Sequence, residues 1–354
     1  MSSSKQDGTA AAAQQLGSMS LGESAERKDN ETEPNTKNGT PTKKLCSACG
    51  KKSDTLMKCR ACKCVWYCDK DCQNKHWKEH KQECKTIKKE LDKRGGKLDL
   101  GNEKDLLGPL PDLPPREECP ICMCVLPIHE RLTWYSSCCG NIVCGGCGHQ
   151  HQMKRGEEGT CAFCREPFPR SDEEALGRLR TRVERNDPQA LNNLAMHYIY
   201  GQFGLSMDRA KGIDLLRQSA GLGCTKAQAQ LGDFHHGHVG SMGLEQNEEA
   251  ALKYFKEAAE GGRLLSRHNL GCVAGKNGDD VAAMRHWRMS ASGGYRKSMR
   301  ALIECFEEGS LHHNDLAETL QAMYRARAEI KSDDRDKFIA YLKRTGKYRE
   351  EYEN

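Results

Sequence analysis

Residues 46–84 read CSACGKKSDTLMKCRACKCVWYCDKDCQNKHWKEHKQEC and place eight cysteines and two histidines within 39 positions. Cys46-x2-Cys49 and Cys59-x2-Cys62 are knuckle pairs, while Cys68-x3-Cys72 and His80-x3-Cys84 carry helical spacing. Side chains four apart share a helix face, so each of the latter pairs can close on one ion. Four pairs supply eight ligands, enough for two tetrahedral sites. Thiolate and imidazole donors select zinc over calcium or magnesium, which take oxygen. A segment this short buries too little apolar surface to fold alone. Structural zinc is worth roughly 10–16 kcal/mol in small finger peptides, so the metal is expected to be the fold. A disulfide framework is the alternative, but it requires an oxidising compartment and no signal peptide is evident.

The stretch resembles the MYND finger family. Cys59-Arg-Ala-Cys62, Trp66-Tyr67-Cys68, Cys72-Gln73, Trp77, His80-Lys81 and Cys84 fall where that pattern places them. The resemblance implies an interleaved arrangement that spacing alone does not give. Cys46, Cys49, Cys68 and Cys72 would hold one zinc, and Cys59, Cys62, His80 and Cys84 the other. Cys64 is then a spare thiol, a small buried hydrophobe. His76 is the rival to His80, with a spacing to Cys84 that departs from the pattern.

Seventeen of the twenty cysteines lie between Cys46 and Cys164, which divides a metal-rich half from an ordinary globular half. Metal-held thiols suit the cytosol or nucleus, so the chain is expected to be intracellular, cytoplasmic or nuclear. No apolar run approaches a membrane span. A net charge of +5 makes no case for nucleic acid. Residues 1–44 are poor in large apolar side chains and are expected to be disordered.

The region 85–116 reads as a basic helical extension with a solvated face, ended by Gly95-Gly96, and then a Pro-rich linker. Proline at the density of PLPDLPP favours an extended spacer. Pro111-Asp112-Leu113-Pro114-Pro115 has the form P-x-L-x-P, a kind of ligand that MYND fingers accept. Two readings follow: a plain spacer, or a segment that docks on its own finger and blocks outside partners.

Within 117–168, Cys119-x2-Cys122, Cys138-Cys139, Cys144-x2-Cys147 and Cys161-x2-Cys164 again supply eight thiols and room for two zinc ions. Their order resembles a RING finger in an all-cysteine variant, with Asn141 where the usual histidine would stand. The resemblance assigns Cys119, Cys122, Cys144 and Cys147 to one ion and Cys138, Cys139, Cys161 and Cys164 to the other. Neighbouring cysteines share an ion only if the backbone turns sharply, which Gly140 permits. Cys124 and His129 are the substitutes. A RING of the ligase kind has no nucleophile; it positions a ubiquitin-conjugating enzyme and its cargo. The resemblance implies Ile121 as an apolar partner contact and Arg165 as a bridging cation. Ala162 replaces the proline usual at its place.

Beyond about residue 187 the pattern is helical and repeated. Leu194, Leu231 and Leu270 recur 37 and 39 residues apart, and Ala220, Ala259 and Ala291 recur 39 and 32 apart. Such periods mean stacked helix pairs. They resemble Sel-1-like repeats, cousins of tetratricopeptide repeats, over 187–309, with a polar closing segment over 310–354. His235, His236 and His238 are expected to be surface residues at a helix end. The fold class is therefore two small zinc-stabilised α+β fingers, MYND and then RING-like, followed by an all-α solenoid.

No phosphate loop, hydrolase triad or paired catalytic carboxylates appear, and no catalytic residue is nominated. MYND fingers sometimes accompany a methyltransferase domain, but here the rest of the chain is helical repeat. The expected function is a zinc-binding adaptor with four zinc ions, two per finger, whose finger and repeats bind partner proteins. The alternative is a RING-type ubiquitin ligase.

Overall fold

The computed structural model describes residues 44–53, 55–95, 107–155, 159–237 and 243–349. Apart from Lys44, the 1–44 tail lies outside them, as does His238.

The first finger is a two-strand ribbon and a helix. β1 (Met57–Lys58) pairs antiparallel with β2 (Trp66–Tyr67), and α1 runs from Lys70 to Lys93. Asp69 caps α1 by accepting from the Cys72 N–H at 2.8 Å, with Asp71 in the first turn and Lys93 in the last. Gly95, with φ +66°, follows its end. The basic extension is not a wholly solvated face. Ile87, Glu90 and Leu91 are buried, and Arg94 reaches the Phe306 carbonyl and lies over its ring.

The second finger pairs β3 (Thr133–Tyr135) with β4 (Ile142–Cys144) antiparallel and continues into α2 (Gly145–Arg155). After it comes α3 (Asp172–Glu184), capped by Ser171, a helix outside both the expected finger and the expected solenoid.

The repeats follow as antiparallel pairs. α4 (Pro188–Tyr200) packs on α5 (Arg209–Gly221), α6 (Thr225–His236) on α7 (Glu248–Glu260), and α8 (Leu264–Lys276) on α9 (Asp280–Ser292). α10 (Arg296–Glu308), α11 (His313–Ile330) and α12 (Asp333–Arg344) complete the chain. The repeating leucines and alanines at 194, 231, 270, 220, 259 and 291 are all buried, because small residues let successive helices approach closely. The described residues form one unit.

The two fingers are built into the solenoid rather than strung ahead of it. One continuous core runs from Cys59, Cys62, Val65, Tyr67 and Ile87 of the first finger to Met299, Leu302, Phe306, Leu316 and Leu320 of α10 and α11. The second finger rests on α12. Phe338 meets Trp134 edge-on at 5.7 Å, and a Cβ at Gly145 would fall 2.2 Å from the Phe338 ring. At Gly146 a Cβ would fall 2.7 Å from the Arg335 backbone nitrogen, so only glycine here lets α12 lie directly on α2. The closing helices thus serve as seats for the fingers, a role that a polar outer face did not suggest.

The described part of the Pro-rich linker, from Gly108 on, is likewise a strap on the solenoid. The Gly108 carbonyl accepts from Arg288 at 2.9 Å. Leu113 lies over Gly293, where a Cβ would come within 3.0 Å of its Cδ1, and beside Leu264. The self-docking reading is corrected: Leu113 and Pro114 find their apolar surface on the repeat turns.

Candidate metal centres and partner surfaces

Four knuckles share one local geometry. In the pairs Cys46-x2-Cys49, Cys59-x2-Cys62, Cys119-x2-Cys122 and Cys161-x2-Cys164 the residue after the second cysteine has positive φ: Gly50 (+73°), Lys63 (+57°), Met123 (+56°) and Arg165 (+68°). Its N–H donates to the carbonyl of the first cysteine at 2.8, 3.0, 2.8 and 3.0 Å respectively. This tight turn aims both thiols the same way, and it recurs in both fingers.

The remaining ligands come from regular elements. In the first finger, Cys68 follows β2, while Cys72, His80 and Cys84 project from α1. Cys144 ends β4 and Cys147 opens α2. Cys138 and Cys139 sit in the turn between β3 and β4, closed by Gly140 at φ +75°, whose N–H donates to Ser136 O at 2.7 Å. That turn is what lets adjacent cysteines converge.

The donor atoms gather in four groups, each within 4.8 Å: Cys46, Cys49, Cys68, Cys72; Cys59, Cys62, His80, Cys84; Cys119, Cys122, Cys144, Cys147; and Cys138, Cys139, Cys161, Cys164. Sulfur–sulfur separations include 3.5 Å for Cys49–Cys68, 3.8 Å for Cys59–Cys84, and 3.9 Å for both Cys122–Cys144 and Cys139–Cys161. These are far beyond a disulfide bond of about 2.05 Å. A tetrahedron with Zn–S bonds of about 2.3 Å spaces its sulfurs about 3.8 Å apart, so the donor sets fit zinc.

The electrostatics prepare these thiols for a cation. Burial opposes ionisation of Cys46, but N–H groups of Cys49, Ala48 and Cys68 outweigh it and bring the thiol down to about 7. Burial also opposes ionisation of Cys161; there the Ser136 hydroxyl and the Cys164 and Phe163 N–H groups bring it to about 6. Cys138 and Cys147 are pushed the other way, by burial and by neighbouring sulfurs. Four crowded sulfurs cannot all ionise without a cation among them.

The solenoid holds the ligands from behind. His80 Nε2 faces Cys62 Sγ at 3.3 Å, and Nδ1 lies 3.2 Å from the Tyr324 hydroxyl of α11. With Nε2 toward the metal, Nδ1–H donates to Tyr324 and fixes the ring. Burial keeps the Tyr324 hydroxyl protonated. Cys64 is buried as expected; its Sγ donates to the Cys62 carbonyl at 3.3 Å and lies 3.2 Å from His313 Nε2. Gln321 Nε2 donates to the Cys64 carbonyl at 2.8 Å.

His76, the rival ligand, stands outside the group. Its Nδ1 accepts from the Tyr67 hydroxyl at 3.0 Å, and burial lowers its pKa to about 4. The substitutes in the second finger are also placed elsewhere. Cys124 Sγ donates to the Cys122 carbonyl at 3.4 Å, and His129 Nδ1 accepts from the Arg131 N–H.

Arg335 of α12 is the cation behind the second finger. It donates to Val125 O at 2.6 Å and Cys124 O at 3.3 Å, and approaches Cys122 Sγ at 3.6 Å. Burial works against its charge, but the Cys144, Cys122 and Cys124 sulfurs raise its pKa above the usual value. Sequence reasoning missed Tyr324, Gln321 and Arg335, which lie about 200 residues or more from the sulfurs they serve. Tyr324→Phe is expected to weaken metal binding at the Cys59 group by roughly 10–100-fold, measured by chelator competition; unchanged affinity would remove Tyr324 from the site.

The proposed partner contacts differ. Ile121 is 41% exposed. Arg165 closes its knuckle through the backbone, and its guanidinium is 2.6 Å from His151 Nδ1. On the first finger, Met57 and Trp77 are the exposed large apolar residues, at 45% and 38%. His235 accepts a place at a helix end, 3.2 Å from the Glu245 carbonyl. No helix among the described residues is long and apolar enough to cross a membrane.

Comparison with known proteins agrees with these modules. The MYND finger model matches residues 46–84, and the Sel1 repeat model matches 188–224 and 225–262. A histone-lysine N-methyltransferase of Arabidopsis thaliana is 44% identical over 50 residues, covering 14% of this chain and 10% of that protein. One of Mus musculus is 44% identical over 45 residues, covering 13% and 9%. The chain thus spans about a tenth of the length of these relatives. Among solved structures, a Sel1 repeat protein from Oxalobacter formigenes is 25% identical, with a TM-score of 0.33, covering 37% of this chain and 98% of that one. A protective antigen of uropathogenic Escherichia coli displaying an SLR fold is 20% identical, with a TM-score of 0.38, covering 56% and 48%. The chain carries a MYND finger at 46–84 and Sel1 repeats over 188–262, and its cysteine clusters fit zinc.

Proposed function

We propose that the chain is an intracellular adaptor, cytoplasmic or nuclear, that holds four zinc ions and presents the first finger and the repeats to partner proteins as one body. Each of the four donor groups would take one ion. The zinc is structural: four protein donors close each site, leaving no position for a reacting water. The observation that carries the reading is the placement of Leu113 and Pro114 on the repeat turns. The chain's own P-x-L-x-P segment is occupied there, and Met57 and Trp77 of the finger remain exposed to outside ligands of that form.

A labelled P-x-L-x-P peptide is expected to bind the full chain, and Trp77→Ala to weaken it about tenfold, near 1.4 kcal/mol. Absence of binding, or equal binding by the variant, would contradict the finger assignment. A second reading, ubiquitin ligation, is favoured by the exposure of Ile121 on the second finger. Ile121→Ala would then abolish ubiquitin transfer with metal content unchanged; a wild-type chain inert with ubiquitin-conjugating enzymes would remove this reading.

A further inference from the structure

A cleft of about 510 Å³ separates the second finger from the solenoid. Its walls are the Leu126–Arg131 stretch of the finger, residues 115–117 of the strap, and the turns that open α6, α8 and α10. The size lies within the roughly 300–1,000 Å³ of ligand clefts.

Its charge is out of balance. Glu130 receives ion pairs from both Lys226, at 2.9 Å, and Arg263. Arg131 and Lys297 line the same cleft, are exposed, and have no ion-pair partner among the described residues. Arg116 is committed to Glu329, which leaves Glu117 as the other acid on the walls. Burial lowers the pKa of Lys226 and brings that of Arg263 to about 10, so both cations are held against a solvation cost.

The backbone adds to the same sign. The helices that open onto the cleft begin at Cys224, Arg263 and Tyr295, and none of these donates a side-chain cap. By contrast, Asp187, Asp208, Asn247 and Asp279 cap α4, α5, α7 and α9. Uncapped N–H groups carry partial positive charge and seek an acceptor.

We propose that this cleft docks an acidic peptide segment of a partner protein. Its carboxylates would meet Arg131 and Lys297 at the surface, and the helix starts deeper in. Charge complementarity argues for this occupant: the walls carry more cations than acids, and the uncapped N–H groups at the helix starts can donate to carboxylate oxygens. The proposal rests on the protein-interaction reading and names a partner class for it.

The test uses the zinc-loaded full chain and a fluorescein-labelled hexaglutamate peptide, read by anisotropy. Binding that weakens with added salt is expected, with at least a tenfold loss in Arg131→Glu/Lys297→Glu and a smaller loss in Arg131→Gln/Lys297→Gln. Both residues are exposed, so an unchanged melting temperature and metal content should accompany the loss. Failure of the wild-type chain to bind hexaglutamate, or equal binding by the charge-reversed variant, would overturn the proposal. Selective binding of an oligonucleotide or inorganic phosphate through Arg131 and Lys297 would also overturn it. Retained P-x-L-x-P binding at the finger would show that the cleft assignment alone had failed. Loss of both peptides would sink the adaptor reading itself.

Discussion

Stripping zinc from the full chain is expected to loosen α10 and α11 as well as the fingers. The reason is the shared core. Cys59, Cys62, Tyr67 and Cys84 pack in one cluster with Met299, Leu302, Phe306, Leu320 and Tyr324. Structural zinc contributes roughly 10–16 kcal/mol in small finger peptides, comparable with the whole stability of an ordinary domain, about 5–15 kcal/mol. Losing it exposes one side of that core and frees the Tyr324, His313 and Gln321 contacts. Hydrogen exchange with and without chelator should show protection lost over Arg296–Glu308 and His313–Ile330 and retained over α4 to α7. Unchanged protection in α10 and α11 would mean that the finger is merely adjacent. Acid should act in the same direction, because thiolate and neutral imidazole ligands are lost to protons as pH falls.

Phe338→Ala carries the second large effect. Phe338 is buried among Leu132, Trp134 and Leu342, with His149 at 5.5 Å, and it fills the surface left by Gly145. Truncating a buried phenylalanine costs about 3–5 kcal/mol through lost transfer energy and the remaining cavity. Here the loss falls at the joint between α12 and the second finger. The variant should keep the first finger and repeats folded while residues 117–168 become sensitive to protease. A uniform drop across the chain, or none, would show that the joint does not decide the finger's placement. Arg335→Met should act on the same joint by removing the cation beside Cys122 and Cys144, and should lower metal affinity there.

The sequence spoke clearly wherever function depends on local spacing. Pairs of cysteines three or four residues apart can turn toward one ion, so the two clusters could be read without knowing the rest of the chain. The 37- and 39-residue leucine intervals exposed the helix pairs for the same reason. The interleaving of ligands was not in the spacing; the family resemblance supplied it. What stayed hidden depends on distant parts meeting. Nothing in KTIKKEL shows that Ile87 and Leu91 pack on α10, and a lone Tyr324 in a charged helix gives no sign of His80. Leu113 matched a peptide motif, yet its apolar side chain found Gly293 and Leu264 first. Gly145 and Gly146, which open α2, went unread as the place where α12 approaches, because glycine at a helix start has many causes. Likewise, residues such as Lys63 and Met123 betray no left-handed preference; the knuckle imposes it.

Native mass spectrometry of the full zinc-loaded chain tests the account most directly. Four bound zinc ions are predicted, falling to three in Cys139→Ser without loss from the other groups. Two ions in the wild-type chain, or a Cys139→Ser variant that still holds four, would contradict the fourfold metal framework on which the fused architecture rests.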